Sequence, residues 1–160
     1  PEIFKLGFYE MKEDNKEAYY GDFISSLKNA VGSKGTLCIN SYTFDTLRSN
    51  KKFVFESNNT TSGMLSSYFL KQKGVVRSKH PVFSVAAIGH YAKYICTKNS
   101  FHNYGYNSPY QKFIKINGKI LNIGMEPWRN PFNHVAEYMI GVPYCFNKPT
   151  KVPGPQPMSK

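Results

Sequence analysis

Tyr20-Gly-Asp-Phe-Ile-Ser-Ser-Leu-Lys-Asn-Ala-Val-Gly-Ser-Lys-Gly-Thr-Leu-Cys-Ile-Asn-Ser-Tyr-Thr43 carries two hydrophobic periods in one stretch. Tyr20, Phe23, Ile24, Leu27 and Val31 recur three and four residues apart, as one face of a helix does, and Gly32 stops the pattern. From Gly35 the chain becomes an apolar, β-branched run, too short for a helix and suited to a buried strand. The same order returns downstream. Thr61 or Ser62 is placed to cap a helix carrying Met64, Leu65, Tyr68, Phe69 and Leu70, closed by Gly74. Val75-Val76 and Ser84 to Gly89 then read as short strands around the polar turn Arg77-Ser-Lys-His-Pro81. The stretch from Phe113 to Ile123 admits a hairpin at Asn117-Gly118, or a helix from Pro109 to Ile116, an Asn-Gly stop and a strand from Lys119 to Ile123. Helix then strand, repeated, predicts an α/β fold with a mixed sheet flanked by helices. A single domain over 1–148 and an extended tail over 149–160, marked by Pro149, Pro153, Pro155 and Pro157, are expected.

The composition agrees with one folded domain. The 160 residues are 41% hydrophobic and 16% aromatic, which argues against disorder. Three cysteines, Cys38, Cys96 and Cys145, leave an odd thiol and no C-x-x-C pair, which excludes a disulfide scaffold or zinc ribbon and suits a reducing compartment. No apolar run approaches the ~20 residues of a membrane span, so a cytoplasmic protein without membrane partners is expected. The net charge is +11, unevenly spread: from Ser57 through Met125 there is no Asp or Glu but nine Lys or Arg. Such a segment attracts an anion, whether nucleic acid or a phosphorylated small molecule, or else serves only solubility.

Histidine is the side chain most often recruited for proton transfer near neutral pH, and the chain has four. In Asn133-His-Val-Ala-Glu-Tyr138, His134 and Glu137 stand at i and i+3, on one side of a helix, where the carboxylate can hold an imidazole nitrogen and raise its basicity. By itself H-x-x-E is also an ordinary polar pair. His102 stands in a loop that ends in Ser108-Pro109, with Ser108 placed to cap a helix whose start suits a phosphate or a carbonyl oxygen. Arg77, Ser78, Lys79 and His80 form either a phosphate clamp or a solvated turn. His90 follows a glycine at a strand end and reads as structural. No metal-ligand spacing, G-x-S-x-G elbow or P-loop occurs, so no metal, serine-hydrolase or NTPase chemistry is expected.

The ordered set Gly35-Thr-Leu, Ser41-Tyr-Thr-Phe44, Gly63-Met-Leu-Ser-Ser-Tyr-Phe69, Gly74 to Gly89, Gly105-Tyr-Asn-Ser-Pro109, Asn117 to Gly124, Asn133-His-Val-Ala-Glu137 and Gly141-Val-Pro-Tyr144 resembles the aminoglycoside 3-N-acetyltransferase family. The resemblance runs from Tyr20 to Lys148 and implies a truncated form of the family fold, without its N-terminal strand and much of its C-terminal part. It implies transfer of the acetyl group of acetyl-CoA to an amino group of an aminoglycoside or amino sugar. It further implies His134 and Glu137 as the proton-handling pair, His102 as a third catalytic position, His80 at the acceptor, and Ser41, Thr43, Arg77, Ser78, Ser84 and Ser108 along a cofactor cleft. Two departures stand out: Phe83 replaces the second His of the family's H-P-x-H-S, and Trp128-Arg129 replaces an acidic residue. The basic, carboxylate-poor middle fits an anionic acceptor such as a nucleotide-linked amino sugar as well as a cationic drug. From other classes, an inactive fragment and a basic nucleic-acid-binding module are the rivals; no RNP, KH or zinc-finger signature supports the second. A homo-oligomer is left open.

Overall fold

The computed structural model describes residues 15–45 and 59–145. Helix α1 (Lys16–Val31) buries Tyr20 and Ile24 and ends at Gly32, whose positive φ of +73° turns its N–H onto the carbonyls of Lys28 and Asn29. There follow β1 (Thr36–Asn40), α2 (Met64–Leu70), β2 (Val76–Arg77), β3 (Val85–Gly89), α3 (Ala92–Cys96), α4 (Pro109–Lys115), a 3-10 turn at Pro127–Arg129 and α5 (Pro131–Ile140). The alternation predicts an α/β fold, and an α/β fold is observed.

The sheet has the order β1-β3-β2, and both pairings are antiparallel rather than mixed. The stretch 78–84 between β2 and β3 has room only to turn back, whereas a parallel pair needs a crossover of about a dozen residues. Beyond β1 the ladder continues, with the Ser41 N–H on Ser84 O and the Thr43 N–H on Val82 O, both at 2.9 Å. Central β3 is covered on both faces: Ala86 joins Tyr20, Ile24, Leu65 and Phe69 of α1 and α2, while Ala87 packs with Ala92, Ile95 and Cys96 of α3. Val85 meets Tyr110 of α4 and Val135 of α5. Gly89 (φ +117°) passes so close to β1 that a Cβ there would lie 2.2 Å from Gly35 O.

Local readings fare unequally. Ser108 caps α4, its Oγ accepting the Gln111 N–H at 3.3 Å with Pro109 in the first turn. Ser62 does not cap α2, which starts from Gly63 with no side-chain cap. The Ser62 hydroxyl instead accepts the Tyr42 N–H at 2.7 Å, and Thr60 donates to Tyr42 O at 2.8 Å, fastening this segment to the end of β1. Asn117 (φ +56°) ends α4, as the Asn-Gly signal predicts, but Lys119 to Ile123 pairs with no strand among the described residues. Helix α3 has no sequence signal. At five residues it is too short to hold itself and rests on Ile95 and Cys96 in the core. Its end is closed from outside by Lys112, 5% exposed, whose Nζ donates to Thr97 O at 2.6 Å and Lys98 O at 3.3 Å. The tail at 149–160 lies outside the described residues.

Candidate active site

Helix α5 starts where the Asn130 side chain accepts the Phe132 N–H at 3.0 Å with Pro131 in the first turn, and it ends at Gly141 in the left-handed conformation. Phe132 and Val135 turn inward toward Tyr110, which leaves His134, Glu137 and Tyr138 on the outer side. Glu137 Oε2 lies 2.8 Å from His134 Nδ1, the side chains being 29% and 57% exposed. A carboxylate only accepts, so the neutral ring carries its proton on Nδ1 and offers a free lone pair at Nε2. Among the described residues Nε2 has no hydrogen-bond partner. The second carboxylate oxygen accepts from the Tyr144 hydroxyl at 3.4 Å.

A loop over 100–107 lies along this outer side. The Tyr104 ring packs 5.3 Å from that of His134, and the His102 ring 4.4 Å from that of Tyr138, one helical turn further on. His102 Nδ1 accepts two backbone N–H groups, of Gly105 at 2.9 Å and Tyr104 at 3.3 Å. Glycine is required at 105 by this approach: a Cβ would meet the His102 ring at 2.8 Å and the Tyr138 hydroxyl at 3.0 Å. Tyr104 is held as a neutral phenol, pushed up to about 12 by burial, with the Glu137 charge adding. Phe83, at the place of the family's second His, packs 5.9 Å from Tyr104, so an apolar ring stands behind the site in place of a titratable one.

His80 lies one step back. Its Nδ1 accepts the N–H groups of Val82 (3.1 Å) and Phe83 (2.9 Å), and its Nε2–H donates to Phe101 O at 3.1 Å, gripping the loop that carries His102. Burial lowers its pKa below the ordinary 6.5, against the raising effect of the Phe101 carbonyl, and the neighbouring His102 ring lowers it further. The folded chain therefore resists protonation here more than the unfolded chain does. Stability is retained above the unfolded value and lost as pH falls through about 6.5 and below. Thermal unfolding followed between about pH 7.5 and 5.5 should show a falling midpoint. His80→Asn, which keeps an acceptor for the two amides but not the ring, should flatten that fall; an unaltered slope would refute the assignment.

Of the expected cofactor residues, Ser41, Thr43, Arg77, Ser78 and Ser84 lie at the end of the sheet, and Ser108 at the start of α4. Ser41, Ser78, Ser84 and Ser108 are buried at 3% exposure or less and Thr43 at 8%. Ser84 Oγ donates to Ser41 O at 2.5 Å, lies 3.1 Å from Ser41 Oγ and accepts Arg77 Nε–H at 2.9 Å, while a second Arg77 N–H reaches Ser41 O at 2.7 Å. Ser78 Oγ accepts the Val85 N–H at 2.9 Å, and Thr43 donates to Pro81 O at 2.6 Å. These hydroxyls and the guanidinium brace backbone where the resemblance implies cleft walls. The structure thus brings together His134, Glu137 and His102, with His80 supporting their loop; of the other six, Thr43 bonds to Pro81 beside His80, and the Ser108 N–H donates to Gly105 O of the His102 loop at 3.0 Å.

Sequence reasoning misses Tyr104, Tyr138 and Tyr144, although Tyr138 is at i+4 from His134 and Tyr144 ends Gly141-Val-Pro-Tyr144. It also misses a cavity of about 270 Å³ between β1, α4 and the start of α5, walled by Tyr110, Phe113, Phe132 and the unpaired stretch Lys119 to Ile123, with Arg129 also on its lining. His134 is not on that lining. Burial pushes the Cys38 thiol up to about 12, which removes it as a nucleophile. Among the described residues no group of three His, Cys, Asp or Glu is placed to hold a metal ion, and no helix is long and apolar enough to cross a membrane.

The aminoglycoside N(3)-acetyltransferase III of Salmonella is 29% identical over 82 residues, covering 51% of this chain and 29% of that protein; those of Enterobacter cloacae and Acinetobacter baumannii match equally. The crystal structure of aminoglycoside acetyltransferase AAC(3)-IVa, as apoenzyme, superposes with a TM-score of 0.69 at 29% identity, covering 78% of this chain and 48% of that one. The sisomicin-bound structure of AAC-VIa gives 0.67 at 25% identity, with 75% and 52% covered. The match thus spans about half the length of these solved relatives and under a third of the curated ones. A family model for aminoglycoside 3-N-acetyltransferase covers residues 12–157, nearly the whole sequence, and with the shared fold it shows that this chain belongs to the aminoglycoside 3-N-acetyltransferase family.

Proposed function

We propose that this chain takes part in acetyl transfer from acetyl-CoA to an amino group of an aminoglycoside or amino sugar, with His134 as base and Glu137 as its partner. The observation that carries the reading is the 2.8 Å contact between His134 Nδ1 and Glu137 Oε2 on an exposed helix face, which leaves Nε2 open to an external amine. An amine must have a free lone pair to attack a thioester, and it sheds a proton as the C–N bond forms. His134 Nε2 accepts that proton, while Glu137 fixes the tautomer and balances the charge on the ring. Tyr104 walls one side of the imidazole, and His80 holds the loop in place. Ser41, Thr43, Arg77, Ser78 and Ser84 serve by bracing the sheet end and Ser108 by capping α4, a reading supported by the engagement of their polar atoms inside the protein.

The test is release of CoA thiol by the purified chain, with aminoglycosides and nucleotide-linked amino sugars as acceptors. Amine-dependent release is expected; none with any acceptor, from protein that unfolds cooperatively on heating, would overturn the reading. The absence of any carboxylate from Ser57 through Met125, against nine Lys or Arg, favours an acceptor that itself bears negative charge. Release faster with the nucleotide-linked sugars would establish that preference.

A further inference from the structure

We infer that His102 acts as a hydrogen-bond donor to the oxygen that becomes negative during acyl transfer, and not as a second base; this rests on the acetyl-transfer reading above. The tautomer decides between the two roles. His102 Nδ1 accepts the N–H groups of Gly105 and Tyr104, so in the neutral ring the proton sits on Nε2. His134 has the opposite tautomer, because Glu137 claims its Nδ1. The two imidazoles therefore present complementary edges: a lone pair at His134 Nε2 and an N–H at His102 Nε2. They border the same face of α5 one turn apart, His134 on the helix and His102 against Tyr138. His80 has the same tautomer as His102, but its Nε2–H is spent on Phe101 O, whereas that of His102 has no acceptor among the described residues.

In the reaction, the amine nitrogen bonds to the thioester carbon and the carbonyl electron pair moves onto oxygen. The amine proton goes to His134 Nε2. Collapse of the tetrahedral adduct restores the carbonyl, breaks the C–S bond and releases the thiolate. His102 gives up no proton at any point; its N–H bonds the alkoxide while that charge exists. A donor aimed at developing charge contributes mainly to kcat, because the ground-state carbonyl is bound less strongly than the alkoxide.

His102→Asn separates this role from the structural one. The Asn carboxamide oxygen still accepts the N–H groups of residues 104 and 105, as such side chains do in turns, but nothing remains at the position of Nε2. Expected are a fall in kcat of about 10²- to 10³-fold, KM values within about twofold of the parent, an unchanged unfolding midpoint, and an unaltered acidic limb of kcat/KM. Long-range nitrogen–proton NMR of the parent chain should show the His102 proton on Nε2. Full turnover by His102→Asn, loss of the acidic limb, or a proton found on Nδ1 would overturn the role and leave the His134 assignment standing. A parent chain that releases no thiol, or no faster than His134→Gln, would overturn the acetyl-transfer reading and this role with it.

Discussion

His134→Gln is expected to lower kcat for amine acetylation by about 10²- to 10⁴-fold, the share of rate that a positioned base supplies. Glutamine retains a donor that Glu137 can bind, but its amide has no lone pair basic enough to take a proton from an ammonium. The side chain is 57% exposed on the outer face of α5, with its ring packed 5.3 Å from that of Tyr104. A surface substitution of this kind should move stability by no more than about 0.5 kcal/mol. The unfolding midpoint then serves as the control that separates lost chemistry from lost fold. Thiol release measured at saturating donor and acceptor is the check, and undiminished kcat would remove His134 from the mechanism.

Arg77→Met should act on the fold and leave donor affinity alone, contrary to what a phosphate clamp would do. The substitution keeps an aliphatic stem but deletes the hydrogen bonds to Ser84 Oγ and Ser41 O, two acceptors in residues with no exposed surface. Hydrogen bonds from a charged group contribute about 1.5–3 kcal/mol each, and a buried acceptor left without its donor loses its solvation as well. A loss of about 3 kcal/mol, or a fall in midpoint of about 6–12 °C, is expected in thermal unfolding. KM for acetyl-CoA, read at a temperature where the variant stays folded, should not change. A raised KM with an unchanged midpoint would return Arg77 to the cofactor.

What could be read from sequence followed from how local each cause is. Tyr20, Ile24 and Gly32 declare α1 because spacing and a stop lie within one stretch. Ser108-Pro109 declares α4, and His134 and Glu137 meet because three residues on a helix is a fixed geometry. Ser62 fails as a cap because a partner twenty residues away, the Tyr42 N–H, competes for its hydroxyl. The antiparallel sheet and α3 likewise depend on partners remote in the chain. The mutual contacts of the serines and Arg77 are hidden for a related reason: the resemblance implies a cofactor cleft along them, yet only the fold reveals that Ser41, Arg77 and Ser84 face one another. The difference between His102 and His134 is of the same kind. Both are histidines beside polar residues, and their opposite tautomers follow from which neighbours reach Nδ1.

An acetyl thioester also acylates stray amines, and this chain is rich in lysine. Lys112 is shielded from that fate, its ammonium shut beneath the end of α3 with Thr97 and Lys98 as acceptors. Only a chain in which α3 and α4 have parted presents it to a reagent, whereas Lys93 on the surface is always within reach. The ratio of mass tag at these two amines records how often that corner opens, a clock that runs without any added probe.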